Sequence, residues 1–278
     1  MFACDVAVII PTYNRLDFLK KALSSVLDQT FPAREIIVVD DGSSDGTLEW
    51  LQQQELSNLK ILPQKNRGPA HARNQGVKVS SSRYLAFLDS DDYWFKKKLQ
   101  TQFEFMIQHP SIKLCQTEEI WMRDGKRVNP MLKHAKPSGW IFENCLPLCL
   151  ISPSAVMIER EFFEGLEGFD ESFEVCEDYE LWLRAALRSE IVTLSEALVV
   201  KQGGHEDQLS KKHWGMDRFR VTALEKLMNS EVLNDEQRNL VLSELAKKLK
   251  ILSQGFTKRF PNEKNLYQEK LNQYQFER

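Results

Sequence analysis

The stretch "YLAFLDSDDYW" (Tyr84–Trp94) decides how this chain folds. Tyr84, Leu85, Ala86, Phe87 and Leu88 form a short continuous apolar run, the pattern of a strand covered on both faces. The run stops on Asp89, Asp91 and Asp92, with Ser90 as the sole neutral residue among them. Carboxylates this close penalise one another's charge unless something positive sits between them. A buried strand ending in a knot of like charge therefore asks for a cation, from the protein or from outside it.

The same pattern repeats on the N-terminal side. "VAVII" (Val6–Ile10) is a β-branched run ended by Pro11, and "EIIVV" (Glu35–Val39) and "LKIL" (Leu59–Leu62) are further strands. Between them, "RLDFLKKALSSVLDQ" sets Leu16, Leu19, Leu23, Val26 and Leu27 on one helical stripe. "TLEWLQQQ" reads as a short helix, and "GPAHARNQGVKVS" as a helix opened by glycine and proline. Strands alternating with helices imply βαβ units and a mainly parallel sheet flanked by helices, a Rossmann-like α/β class. Ligands of such sheets bind outside the carboxyl ends of the strands. "PTYNR", "DDGSSDGT" and "DSDD" all lie just past strand ends, so three distant segments converge on one rim.

Beyond about residue 110 the alternation loosens. "KLCQT" and "MRDGKRV", with its Asp-Gly turn, suggest antiparallel strands and a hairpin. "GLEGFDES" is a turn region, "DYELWLRAALRS" a helix burying Trp182, Ala185 and Ala186, and "ALVV" a short strand. From Trp214 the pattern is helical: Met216, Phe219, Ala223, Leu224 and Leu227 form one stripe, and Leu242, Leu245, Leu249 and Leu252 another. Asn234 with Gln237 matches a capping box. The pattern divides the chain into an alternating strand–helix part over 1–110, a looser mixed part over 111–210, and a helical C-terminal extension over 211–278.

Composition narrows the class. The 278 residues carry a net charge of −3, which argues against nucleic acid as a partner. That sum hides an asymmetry: 14 Lys+Arg against 9 Asp+Glu from Lys211 onward, and 23 against 31 before it. A basic helical end suits an anionic membrane surface or simply a solvated face. The cysteines (Cys4, Cys115, Cys145, Cys149, Cys176) form no CxxC pair and are odd in number, fitting a reducing, cytoplasmic setting. No apolar stretch approaches the ~20 residues that span a bilayer, and "MFACDVAVII" lacks a signal peptide's basic start. The expected location is the cytoplasm, peripheral at most at the inner face of the membrane.

The rim residues suggest the chemistry. Hard oxygen ligands such as Asp89 and Asp91 suit Mg²⁺ or Mn²⁺, which share their shell with substrate phosphates. A single acid there is explained by the N-terminus of the following helix, read over "YWFKKKLQ"; three acids are not. In "DDGSSDGT", Asp45 caps "TLEWL", leaving Asp40 and Asp41 to accept hydrogen bonds from a ligand. Tyr13 is placed to stack on a base, and Arg73 to reach a phosphate from its helix. Glu177 and Asp178, entering a helix, supply a candidate base. His205, after two glycines, is a third metal ligand or a phosphate contact, against the plain alternative of an exposed loop histidine. There is no GxxxxGK[ST], no GxGxxG after the first strand, no G-x-S-x-G and no HExxH.

Taken in order, "VIIPTYNR", "IIVVDDGSSDGT", "NRGPAHARNQG", "YLAFLDSDD" and "GFDES…CEDYELWLR" resemble the family 2 glycosyltransferases. The resemblance covers roughly residues 5–205 and implies the GT-A fold and inverting, metal-dependent transfer from a nucleotide sugar, with Mn²⁺ or Mg²⁺ as cofactor. It further implies that Asp89 and Asp91 match the DxD motif, that Pro11, Thr12 and Tyr13 meet the base, and that Asp41, with Asp40 beside it, accepts from the base's imide. By the same resemblance Arg73 lies on the nucleotide side and Asp178 is the general base. Arg15, Ser90 and Glu177, neighbours of these positions, complete the expected substrate contacts. The donor implied is a UDP-sugar and the acceptor a glycan or lipid-linked hydroxyl in bacterial cell-surface polysaccharide or glycolipid synthesis. The alternative is a non-catalytic sugar-nucleotide-binding protein. The QxxRW motif of processive synthases is absent. The C-terminal helices match no family-wide motif; they are expected to pack on the rest, to form a homodimer or to touch a membrane.

Overall fold

Why the first strands form is visible in their alternation. The computed structural model describes residues 4–129, 131–205, 213–230 and 232–276. In it β1 (Cys4–Thr12), α1 (Leu16–Leu27), β2 (Ala33–Asp40), α2 (Thr47–Gln52), β3 (Leu59–Pro63), α3 (Pro69–Val79) and β4 (Tyr84–Phe87) follow one another as the sequence pattern requires. Along β1, Val6, Val8 and Ile10 face α1, while Ala7 and Ile9 face α3. Both sets are fully buried, so the run has no polar face. α3 approaches this sheet so closely that a Cβ at Gly76 would lie 2.5 Å from Ile9 Cγ2. Glycine is required there by contact, not by backbone angle.

The second half continues the same sheet. β5 (Tyr93–Trp94), α4 (Lys98–Gln108), β6 (Leu114–Arg123), β7 (Lys126–Val128), α5 (Phe142–Cys145), β8 (Val156–Glu159), α6 (Arg160–Gly165), α7 (Glu177–Arg188) and β9 (Ile191–Gly203) come next. Among the described residues the strands form one nine-stranded sheet, ordered β3-β2-β1-β4-β8-β6-β9-β5, with β7 paired to β6. β1 to β4 are parallel; β8 enters antiparallel between β4 and β6, and β9 runs parallel to β6. The carboxyl ends of β1, β2, β4, β6 and β9 therefore share one rim. α8 (Asp217–Met228), α9 (Asp235–Arg259) and α10 (Leu266–Phe276) close the chain.

Several local expectations are corrected. β1 does not end at Pro11 but runs on to Thr12. Ile9 O accepts from Leu88 N–H, so Pro11, two residues on, turns its donorless nitrogen to the side where β4 has already ended. Tyr93 and Trp94 are not the start of a helix; they pair with Val200 and Val199 of β9, and α4 begins at Lys98. The short strand at "ALVV" is the end of a 13-residue strand whose exposed Ser195 and Glu196 lie at a register shift against β6. Leu27 points to solvent, and Ala22 takes its place on the buried stripe. β8, α5 and α6 had no counterpart in the sequence reading.

The C-terminal helices pack on the rest of the chain. Leu224, Leu245 and Leu249 are fully buried, in one apolar core with Trp182 and Ala186 of α7. Lys248 Nζ donates to Pro147 O at 2.9 Å. The Asn234–Gln237 capping box is present. No described helix is long and apolar enough to cross a membrane. All five cysteines are free thiols, and burial pushes those of Cys4 and Cys145 up to about 12.

Glu35 ties β2 to β3 and to the turn before β4. Its carboxylate accepts from Lys60 Nζ at 2.7 Å and from the N–H groups of Ser81 and Ser82. Burial alone would raise its pKa, yet these donors pull it from the usual 4.5 down to about 2. A depressed carboxylate stabilises the fold fully above its ordinary pKa and loses that contribution as pH falls through its folded one. Glu35→Gln should lower the melting temperature at pH 7 by about 2–4 °C for each ~1 kcal/mol lost. The gap to wild type should close between about pH 5 and 2, as read by thermal denaturation across pH.

Candidate functional site

The Asp89–Asp92 turn is held by cations that the chain itself supplies. Arg73, from the first turns of α3, is about 5% exposed and reaches two acids distant in sequence. Its Nη2 lies 2.7 Å from Asp89 Oδ1 and its Nη1 2.6 Å from Glu177 Oε1. Burial disfavours the charged guanidinium, but Asp89 and Glu177 outweigh it and hold its proton more tightly than usual. Glu177 shows the converse: burial raises its carboxyl, Arg73 pulls it down, Asp178 adds repulsion, and the net direction is up. Arg73 is thus a buried brace between two segments of the rim, and it also borders the cavity.

Asp91 and Asp92 divide differently. Asp91 Oδ2 lies 2.6 Å from Arg15 Nη1 and 3.0 Å from His205 Nε2. Burial would raise its carboxyl, and His205 and Arg15 together lower it. Asp92 is 1% exposed and accepts from Ser154 Oγ at 2.6 Å and from Gln202 N–H at 3.0 Å. Burial pushes Asp92 well up; Lys201 opposes, and Asp91 and Asp89 reinforce the rise. Lys201 sits under the turn at the end of β9 and donates to Ser152 Oγ at 2.9 Å. Burial disfavours its charge, but Asp92, Glu119, Asp89 and Asp91 keep it protonated beyond the usual lysine range.

The loops after β1, β2 and β3 are locked together. Asn14, at φ 50°, receives Ser44 N–H on its side-chain oxygen, and its own N–H reaches Ser43 Oγ. The N-cap of α2 is Gly46 and not the expected Asp45, which stands one residue earlier, accepts from Thr47 N–H and Oγ1, and also accepts Leu16 N–H at the start of α1. Asp41 accepts from Gln64 Nε2 and from the N–H groups of Arg67 and Gly68, which opens α3. A carboxylate offers about four acceptor positions, so the chain itself takes three of Asp41's.

These elements enclose a cavity of about 560 Å³ on the rim, within the range of small-molecule sites. Pro11, Thr12, Tyr13, Arg15, Asp41, Arg73, Asp89, Ser90, Asp91, Glu177 and Asp178 all border it. Asp40 does not: it is 2% exposed and turns back to Ser43 N–H, so the expectation that it accepts from a ligand is corrected. His205 is outside the wall but touches Asp91. Among the described residues, the acids and histidines whose ligand atoms converge within 4.8 Å are Asp89, Asp91 and Asp92, without His205. Thr12 Oγ1 and Arg73 Nε are buried at the wall without a hydrogen-bond partner among the described residues. On the far side, Asp178 accepts Tyr179 N–H at 2.7 Å and lies 3.5 Å from the Cys149 thiol.

Sequence reasoning missed Lys201, Cys149 and Arg220. Lys201 follows "ALVV" at a strand's carboxyl end, a signal that was there to be used. Arg220, of α8, borders the cavity and pairs with Asp217 at 2.9 Å, so the C-terminal extension forms part of the wall. Nothing in its sequence neighbourhood marks it.

The chain matches the Glycosyl transferase family 2 model over residues 7–164. It is 39% identical over 159 residues to TuaG of Bacillus subtilis (strain 168), described as a teichuronic acid biosynthesis glycosyltransferase, covering 56% of this chain and 62% of that one. It is 34% identical over 179 residues to Escherichia coli WfgD, a UDP-Glc:alpha-D-GlcNAc-diphosphoundecaprenol beta-1,3-glucosyltransferase, covering 64% and 68%. The crystal structure of S. aureus TarS 1–349 superposes with a TM-score of 0.70 over 93% of this chain and 75% of that one, at 22% identity, a likeness of fold. The chain spans 62% of TuaG and only 28% to 37% of three Rickettsia relatives. The fold is the expected GT-A arrangement, and the chain belongs to glycosyl transferase family 2.

Arg73→Ala should leave Asp89 and Glu177 buried without their shared partner and cost about 3–5 kcal/mol in urea unfolding. Arg73→Lys should recover only part of this, because one ammonium cannot replace a fork that reaches two carboxylates.

Proposed function

We propose that the protein transfers a sugar from a UDP-sugar to an acceptor hydroxyl, with inversion and with Mg²⁺ or Mn²⁺ as cofactor. The observation that carries this reading is that the Asp89–Asp91 turn and Asp178 face one cavity of nucleotide-sugar size. The family assignment supports the reaction class, and the nucleotide is supported by the TarS complex with UDP-GlcNAc and by the UDP-glucose donor in WfgD's name. WfgD's diphosphoundecaprenol-linked acceptor suggests a lipid-linked glycan here. Residues 1–110 would form the donor side and 111–210 the acceptor side, with 211–278 completing the wall.

The donor set fits a hard divalent cation. Asp89 and Asp91 present carboxylate oxygens at the wall, Arg73 engages a single oxygen of Asp89, and Arg15 and His205 both meet the same oxygen of Asp91, Oδ2. Asp92, committed to Ser154 and Gln202, is the brace of the turn and not a ligand. His205 Nε2, which meets Asp91, is the additional nitrogen within reach of such a site. When bound, the cation offsets the charge of the departing diphosphate.

The chain's own residues do the rest. Asp178 takes the proton of the acceptor hydroxyl, whose oxygen attacks the anomeric carbon as the bond to the diphosphate breaks. Asp178 stands in the first turn of α7 and accepts the Tyr179 N–H, which holds its carboxylate in place at the cavity. Arg73 fixes Asp89 and Glu177, and so sets the donor side against the base. Tyr13, 45% exposed, supplies a ring for the nucleobase, and Thr12 Oγ1 a polar contact beside it.

Asp178→Asn should reduce turnover by about 10²–10⁴-fold while the UDP-dependent thermal shift, with Mn²⁺ or Mg²⁺ present, stays as in wild type. Near-normal rates in this variant would place the base elsewhere. A screen of nucleotide sugars by the same thermal shift identifies the donor.

A further inference from the structure

The β6–β7 hairpin and the strap that follows it carry an apolar cluster that folding leaves uncovered. Leu132 is 95% exposed, Met131 59% and Val128 37%. Exposed Arg123, Lys126, Arg127 and Lys133 flank them in the same run, with Asp124 as the acid. An isolated exposed leucine needs no explanation, but three exposed apolar side chains within five positions, in a run with four exposed cations, do.

This segment is built, not loose. Lys136 Nζ, 7% exposed, lies 3.1 Å from Glu119 Oε1 inside the sheet's edge and reaches Thr117 O. His134 sets its ring edge on Trp121 at 4.9 Å, and Ser138 Oγ and Pro137 O bind Thr193. The strap is thus fixed at several points while Met131 and Leu132 point outward. Trp140, also exposed, sits at the other end of the strap, beside the Gly139–Ile191 bridge, and is not part of the cluster.

Its position matters as much as its chemistry. Arg123 pairs with Gly203 at the carboxyl end of β9, and Gly204 backs onto Arg123 and Asp124. The next residue is His205, which touches Asp91. The cluster therefore shares the rim of the sheet with the mouth of the cavity. The stripes of the C-terminal helices, by contrast, are buried in the core.

We infer that Val128, Met131 and Leu132, with Arg123, Lys126, Arg127 and Lys133, form a docking surface for an anionic lipid bilayer, seating the cavity's mouth at the membrane. Apolar side chains insert at the headgroup boundary while surrounding lysines and arginines meet the anionic headgroups. Complementary charge favours this occupant over a second copy, since two such patches would bring like charges together. The inference deepens the reading above, because a surface-seated cavity suits an acceptor held in lipid.

The test is flotation of the full chain with vesicles of phosphatidylcholine alone or with added phosphatidylglycerol. Wild type should float with the anionic vesicles and be released as salt rises from about 0.1 to 1 M, which shortens the Debye length from about 10 to 3 Å. Lys126→Glu/Arg127→Glu should weaken partitioning at least about five-fold per cation removed, and Leu132→Glu should abolish it. All variants should keep the wild-type UDP-dependent thermal shift, so failure to dock is distinguishable from failure of the nucleotide site. Wild type that ignores both vesicle types, or variants that bind as wild type does, would overturn the proposal. So would a dimer in sedimentation velocity that Leu132→Glu dissociates, since the patch would then join copies of the chain.

Discussion

Carboxylates at the carboxyl rim of the sheet are tolerable only because buried cations stand behind them. Arg73 bridges Asp89 to Glu177, and Lys201 lies beneath Asp91 and Asp92. Each of these cations would be costly alone in a dry interior, and so would each acid. Together they form a network in which removing one member strands another. The arrangement fixes the turn after β4 against the N-terminus of α7, which come from opposite halves of the chain. The acids of that turn and Asp178 are thereby held in one frame on the cavity wall.

The sheet explains why the two halves meet. β8 inserts antiparallel between β4 and β6, which brings Ser154, just before it, against Asp89 and Asp92. β9 then returns parallel to β6 and delivers Lys201, Gln202 and His205 to the same rim as Thr12 and Asp41. The loops after β1, β2 and β3 are not independent: Asn14, Asp41 and Asp45 cross-link them through backbone N–H groups. Such pre-organisation reduces what a ligand must order on binding. The C-terminal helices extend the core and add Arg220 to the cavity wall.

Much of the first half was legible because its signals are local. Continuous β-branched runs, a Gly-Pro helix start and acids beyond strand ends each depend on neighbouring residues. The convergence of "PTYNR", Asp41 and "DSDD" on one rim followed from parallel topology alone. What escaped depends on contacts distant in sequence. Tyr93 and Trp94 looked like the start of a helix until their pairing with β9 was seen, and β8 is too short and apolar to announce itself. Asp40 and Asp41 are adjacent and chemically alike; only the fold turns one inward to Ser43 and leaves the other at the cavity. The bracing of Asp89 and Glu177 by Arg73 escaped because its two partners lie 16 and 104 positions away.

The central claim is that the acidic turn, balanced from below by protein cations, holds a divalent ion against a nucleoside diphosphate. Anomalous diffraction from crystals grown with UDP and Mn²⁺ measures this directly. The account predicts a manganese peak in contact with the carboxylates of Asp89 or Asp91 and beside the diphosphate. Nucleotide density in the cavity with no manganese at those carboxylates would contradict it.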